Sequence, residues 1–116
     1  MPMLTWSQLV AAGATFDPID AAGWQYRYLP YPCVIEVIHQ ATAVGVVVAI
    51  TFGSDTIQQE SPLSAGGTAG QIPSRFTREP ITEKAMQGDL IRVVYRNTTA
   101  GGINIEGLVE ITRLQA

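Results

Sequence analysis

Side chains suited to metal ligation or nucleophilic attack are scarce in this sequence. His39 is its sole histidine and Cys33 its sole cysteine. Metal-binding jelly rolls need several histidines with a carboxylate, which this chain cannot supply. Cys33 opens an apolar run with no basic neighbour to draw off its proton, so an inert buried thiol is expected rather than a nucleophile. Glu106 and Glu110 fall on one face of a strand, but four residues at about 3.3 Å each separate them by roughly 13 Å. Glycosidase carboxyl pairs stand about 5–9.5 Å apart, so both glutamates are expected on a solvated face.

Two motif matches also fail on context. Gly66 to Gly70, GGTAG, looks like a phosphate loop but lacks the Lys-Ser/Thr that grips phosphate, and Gln71-Ile72-Pro73 cannot open the required helix. Asn97-Thr98-Thr99 fits a glycosylation acceptor, yet MPMLTWSQLV has neither the basic nor the apolar region of a secretion signal. Arg75, Arg78, Arg92, Arg96 and Arg113 hold most of the positive charge and are expected to pair across strands with Glu79, Glu106 and Glu110. Docking of an acidic partner is their sharper reading. Trp24, Tyr26 and Tyr28 alternate with Gln25 and Arg27. On an exposed strand they would form a stacking platform for a sugar or base; otherwise they pack into the core or a subunit contact.

Composition narrows the classes further. The 116 residues carry a net charge of −3 with Lys84 as the only lysine, which argues against phosphate-neutralising nucleic-acid binding. Charged residues make up 15% of the chain, below the ~25% usual in soluble domains. Subunit contacts are depleted in charge, so a homo-oligomer or assembly component is expected. The longest apolar run, Val44 to Ile50, is too short for a membrane helix, for which about 20 residues are needed. No membrane association, cofactor or metal is expected.

These side chains must be positioned by strands. Ile103, Ile105, Val109 and Ile111 share one parity against Asn104, Glu106, Glu110 and Thr112, and Ile91, Val93 and Tyr95 oppose Arg92 and Arg96. Further strands are expected over 24–28, 33–40, 45–52, 56–60 and 75–81, while 82–87 reads as a strand or a helical turn. Val46, Val48, Ile50 and Phe52 lie on one face of 45–52, and Val47, Ala49 and Thr51 on the other. Such a strand is either central with both sides covered or offers its second face to a partner. Residues 1–23 read as a short helix over Trp6–Ala12, with Thr5 and Gln8 as its capping box, or as an extended arm docking on a neighbour. Residues 61–74 read as a long Gly-rich loop, of the kind that is functional or fastens onto a partner. About eight short strands with frequent turn signals predict an all-β antiparallel sandwich of the jelly-roll type over 24–116, preceded by the 1–23 arm.

The runs GSDTIQQESPLSAGGTAGQIPS at 53–74 and AMQGDLIRVVYRNTTAGGINIEGLVEI at 85–111, in a Lys- and His-poor β-branched chain, resemble small jelly-roll capsid decoration (cement) proteins of bacteriophages. The resemblance implies a non-enzymatic protein of the outer virion surface, made in the host cytoplasm. It implies a trimer that clamps major capsid proteins against internal pressure. In that picture Trp24, Tyr26, Tyr28, Val46, Val48, Ile50 and Phe52 are candidate subunit contacts, while the loop and arm, with Leu63, Ile72, Arg75 and Arg78, are candidate grips on the shell. A small tail or head-tail adaptor protein and a carbohydrate-binding module on Trp24, Tyr26 and Tyr28 are the alternatives.

Overall fold

The computed structural model describes residues 2–67, 72–73, 78 and 80–114. Eight strands run in chain order as β1 (Met3–Val10), β2 (Thr15–Phe16), β3 (Cys33–Ala41), β4 (Val46–Phe52), β5 (Asp55–Pro62), β6 (Ile81–Ala85), β7 (Ile91–Asn97) and β8 (Ile103–Arg113). One sheet has the order β1-β8-β3-β6 and the facing sheet β2-β7-β4-β5. The antiparallel pairs β4·β5, β3·β6, β2·β7 and β1·β8 are those of one long hairpin folded at its middle. Rolling that ribbon brings β8 beside β3 and β7 beside β4, which completes both sheets. This is the jelly-roll arrangement.

The ribbon turns at Gly53-Ser54, between the paired residues Phe52 and Asp55. Gly53 takes φ +62° and no non-glycine residue among those described, Ser54 included, has positive φ, so the turn is of the type that places glycine first. A side chain at Gly53 would also sit 2.6 Å from the Asp89 carboxylate, which leaves glycine as the residue that fits.

Strand parity fills the core. Ile103, Ile105, Val109 and Ile111 of β8 face Val46, Val48, Ile50 and Phe52 of β4 and Ile91, Val93 and Tyr95 of β7 across the sandwich. The two-sided apolar strand is explained by position: β4 lies between β7 and β5, with one face in the core and Val47, Ala49 and Thr51 half-buried on the other.

Two expectations are corrected and a third falls largely outside the described residues. The N-terminal residues are neither helix nor detached arm, because Met3–Val10 pairs along its whole length with β8. Leu4, Trp6 and Val10 turn inward at period 2, and the Trp6 indole lies over Gly107, where a Cβ would come within 2.6 Å of its ring. A lone capping box cannot nucleate a helix against that pairing and burial. Residues 24–28 are not a strand. After the single-turn helix α1 (Pro18–Ala21), capped by Asp17, the chain makes a 3-10 turn over Gln25–Arg27 and rejoins the sheet only through a bridge between Tyr28 and Leu90. The strand expected over 75–81 lies mostly outside the described residues, and β6 starts at Ile81.

Candidate functional site

The second sheet's edge strand β5 and the first sheet's edge strand β6 flank a cleft of about 320 Å³ lined by His39, Gln58, Pro62, Leu63, Ser64, Arg78, Pro80 and Ile81. His39 reaches it from the inward face of β3. Its Nδ1 is hydrogen-bonded to the Tyr95 hydroxyl at 2.8 Å, and the two rings meet edge to face. Burial lowers the histidine pKa to about 4, so the ring is neutral at physiological pH. Burial likewise pushes the Tyr95 phenol well above its ordinary value, with the nearby Trp6 indole opposing weakly. The result is a neutral His-Tyr bridge between the sheets, beneath a cleft whose guanidinium, Arg78, donates to the Ala65 carbonyl at 3.0 Å. Among the described residues the cleft is lined by no carboxylate, and Ser64 is its one hydroxyl beside His39. Cys33 is fully buried, with its thiol pKa raised by burial and by Asp89.

Glu106 departs from the solvated face on which its spacing placed it. It points to the outer side of β8 yet is 0% exposed. Its row runs from Ser7 on β1 through Glu106 to Gln40 on β3. The Ser7 hydroxyl donates to Oε2 at 2.5 Å, while Oε1 has no hydrogen-bond partner among the described residues. The loop explains the cover: Ser64 O accepts from Ala41 N, Gly67 N donates to Ala41 O, and Gly67 lies so close to Gln40 that a Cβ would sit 2.6 Å from its amide. Glu110 keeps partial exposure on the same face. Among the described residues no three His, Cys, Asp or Glu side chains converge on a point that could hold a metal.

The outer face of the second sheet is a regular surface built on β4 and β7. Val47, Ala49 and Thr51 of β4 pair with Arg96, Val94 and Arg92 of β7. The valines, alanine and threonine are half-buried and form a small-residue floor; the arginines stand exposed. Each arginine has a carboxylate: Arg96 donates to Glu60 and Arg92 to Asp17. Arg96 holds the Glu60 carboxyl below its ordinary value. For Arg92 and Arg96 the partners are thus Asp17 and Glu60, while Arg75 and Glu79 lie outside the described residues. A second pocket of about 200 Å³ is lined by Asp17, Asp20, Arg27 and Arg92, which pair as Arg27–Asp20 and Arg92–Asp17.

The residues singled out as contacts do not form one site. Val46, Val48, Ile50 and Phe52 are sealed in the core, so they cannot meet a partner while the sandwich is closed; their neighbours Val47, Ala49 and Thr51 can. Trp24 and Tyr26 meet edge to face, ring centres 5.4 Å apart at 61°, and pack against the core. Only Tyr28 is open, at 57% exposure, with Arg27 over its ring. Edge-on, partly buried rings make no flat stacking platform. Leu63 is buried, Ile72 exposed, Arg78 lines the cleft, and Arg75 lies outside the described residues.

Two polar anchors escaped the sequence reading. Asn97 is fully buried: its amide nitrogen donates to Val10 O and Gly101 O, and its oxygen accepts from the Thr99 backbone and hydroxyl. The glycosylation match is thus a loop clamp with its nitrogen in use. Tyr95 was legible as core, but its hydroxyl partner was not. A glycine within a strand, Gly107 next to Glu106, was the available signal of close packing there.

No protein-family model matches the chain, and no curated protein matches it in sequence.

Proposed function

We propose that this chain is a virion structural protein, a capsid decoration protein that binds and stabilises a bacteriophage head as a homo-oligomer, without catalytic activity. The observation that carries the reading is the outer face of the second sheet, where the paired strands β4 and β7 present a half-buried floor of Val47, Ala49, Thr51 and Val94. Its flanking charges are already neutralised in pairs, so covering it strands no unpaired ion. A chain of 15% charged residues favours such extended, low-charge contact. Many copies on one shell would multiply a modest contact through avidity. The major capsid protein is the partner this reading names, and the loop from Leu63 is a further grip.

Co-sedimentation tests it. Purified protein mixed with bacteriophage heads assembled without it is expected to pellet with them, and Ala49→Arg, which projects a charge from the floor, is expected to stay in the supernatant while remaining folded. Wild-type protein that ignores such heads refutes the reading.

A further inference from the structure

Sheet edges present unpaired N–H and C=O groups, and natural proteins guard them with short strands, charges, proline or bulges. Three of the four edges here carry such a device. β2 is two residues long. β5 shifts register against β4 between Val48 and Ile50 and carries Asp55, Glu60 and Pro62. β6 has five residues, including Glu83 and Lys84. β1 has none of these: MLTWSQLV holds no charge and no proline, and its register with β8 is unbroken from Met3–Glu110 to Val10–Ile103. No described strand lies beyond it. Its outward side chains include Met3 at 54% and Leu9 at 62% exposure.

The direction of the free backbone groups follows from the ladder. Ile111 N donates to Pro2 O at 2.9 Å, in continuation of the β1·β8 register. Residues bonded to the neighbouring strand alternate with residues whose groups point away. Positions 4, 6, 8 and 10 therefore bond to β8, and Met3, Thr5, Ser7 and Leu9 direct N–H and C=O to the open edge.

We propose that β1 pairs antiparallel with β1 of a second copy about a two-fold axis at Trp6, joining two four-stranded sheets into one. Directly opposed residues of an antiparallel pair share a face. A centre at position 6 sets Met3 against Leu9 of the second copy, Thr5 against Ser7, and the reciprocal pairs likewise. The two exposed apolar side chains then cover each other twice, and the opposed odd positions exchange their free backbone hydrogen bonds. A centre at position 5 leaves Leu9 without a counterpart in β1, and a centre at 7 leaves Met3 without one. A centre between residues opposes inward to outward side chains. The strand is self-complementary in one register, and the contact is isologous, so it yields a dimer rather than the trimer implied by the resemblance. It does not depend on binding to a shell.

The test is light scattering coupled to size exclusion on the free protein at about 10–100 µM, a range suited to a small contact. Wild type is expected to weigh twice the 12.5 kDa chain. Leu9→Lys, at an exposed position, is expected to weaken association at least about tenfold and elute as a monomer with an unchanged circular dichroism spectrum and melt. Thr5→Pro, which removes one outward N–H and none of the β1·β8 bonds, is expected to do the same. Met3→Cys combined with Leu9→Cys is expected to give an interchain disulfide on oxidation. A monomer across that range, a trimer, or a dimer that persists in Leu9→Lys overturns the proposal.

Discussion

His39 makes the stability of this sandwich depend on pH in a window set by one side chain. Its ring is buried between the sheets with a folded-state pKa of about 4, depressed by desolvation from an ordinary value of 6.5. In the unfolded chain the imidazole takes up a proton as pH falls through 6.5, whereas the folded protein resists until about 4. Between those values the unfolded state binds more protons, so stability falls as pH falls; above 6.5 the contribution is complete, and below 4 this group removes no more. The separation of about 2.5 pH units between 6.5 and 4, at about 1.4 kcal/mol per unit, amounts to about 3 kcal/mol. Urea titrations followed by tryptophan fluorescence at pH 7.5, 6.5, 5.5 and 4.5 read this directly. His39→Gln keeps a polar group there but cannot titrate, so the wild-type slope minus the variant slope isolates the histidine and cancels the carboxylates that begin to titrate at the acid end. Parallel slopes for the two proteins, or a folded-state His39 resonance that titrates near 6.5, would refute the burial argument.

Three other substitutions probe the polar anchors and the closest packing. Asn97→Ala removes the amide that bonds Val10 O, Gly101 O and the Thr99 N–H; Gly101 O keeps the Thr99 hydroxyl and Val10 stays paired with β8, so a loss of about 1–3 kcal/mol in chemical denaturation is expected, and no measurable loss would mean that water replaces the clamp. Gly107→Ala puts a methyl 2.5 Å from the Trp6 ring; overpacking of this kind costs about 1–3 kcal/mol, and a red shift of tryptophan emission should accompany the drop, while an unshifted spectrum at full stability would show that Trp6 does not lie on that glycine. Tyr95→Phe removes the hydroxyl bonded to His39 and is expected to cost about 1–3 kcal/mol at pH 7.5 in the same urea assay; no loss would indicate that the imidazole nitrogen finds another partner.

The sequence reading reached the jelly-roll class because strand parity is written locally. Ile103, Ile105, Val109 and Ile111 announce an inward face whatever strand lies beside them, and so do Val46, Val48, Ile50 and Phe52. Strand membership was harder where local and tertiary preferences compete. Trp6, Leu9 and Val10 satisfy a helical period, while Leu4, Trp6 and Val10 satisfy a strand period; Gly107, a hundred positions away, decides between them by making room for the indole. Trp24, Tyr26 and Tyr28 alternate like a strand, but Asp17-Pro18 starts a helical turn just before them and Pro30 and Pro32 follow, leaving no regular partner. The His39–Tyr95 pair and the burial of Glu106 depend on how the ribbon rolls and where the loop from Leu63 lies, and neither is encoded in spacing along one strand.

The same rolling accounts for where binding surfaces can lie. Folding a double-stranded ribbon consumes one face of every strand in the core and pairs the ribbon with itself, so what remains is two outer faces and four edges. The loop through Gly67 lies against Gln40 on one outer face, next to the buried Glu106. Bulge, brevity or charge blunts three edges. The floor of Val47, Ala49, Thr51 and Val94 and the uncharged edge of β1 are two regular surfaces that stay open among the described residues, and they lie on different sheets. A protein that pairs with its own copy through one sheet still has the other free to lie flat on a larger surface. Leu9→Lys and Ala49→Arg should therefore separate the two contacts, each abolishing one and leaving the other measurable.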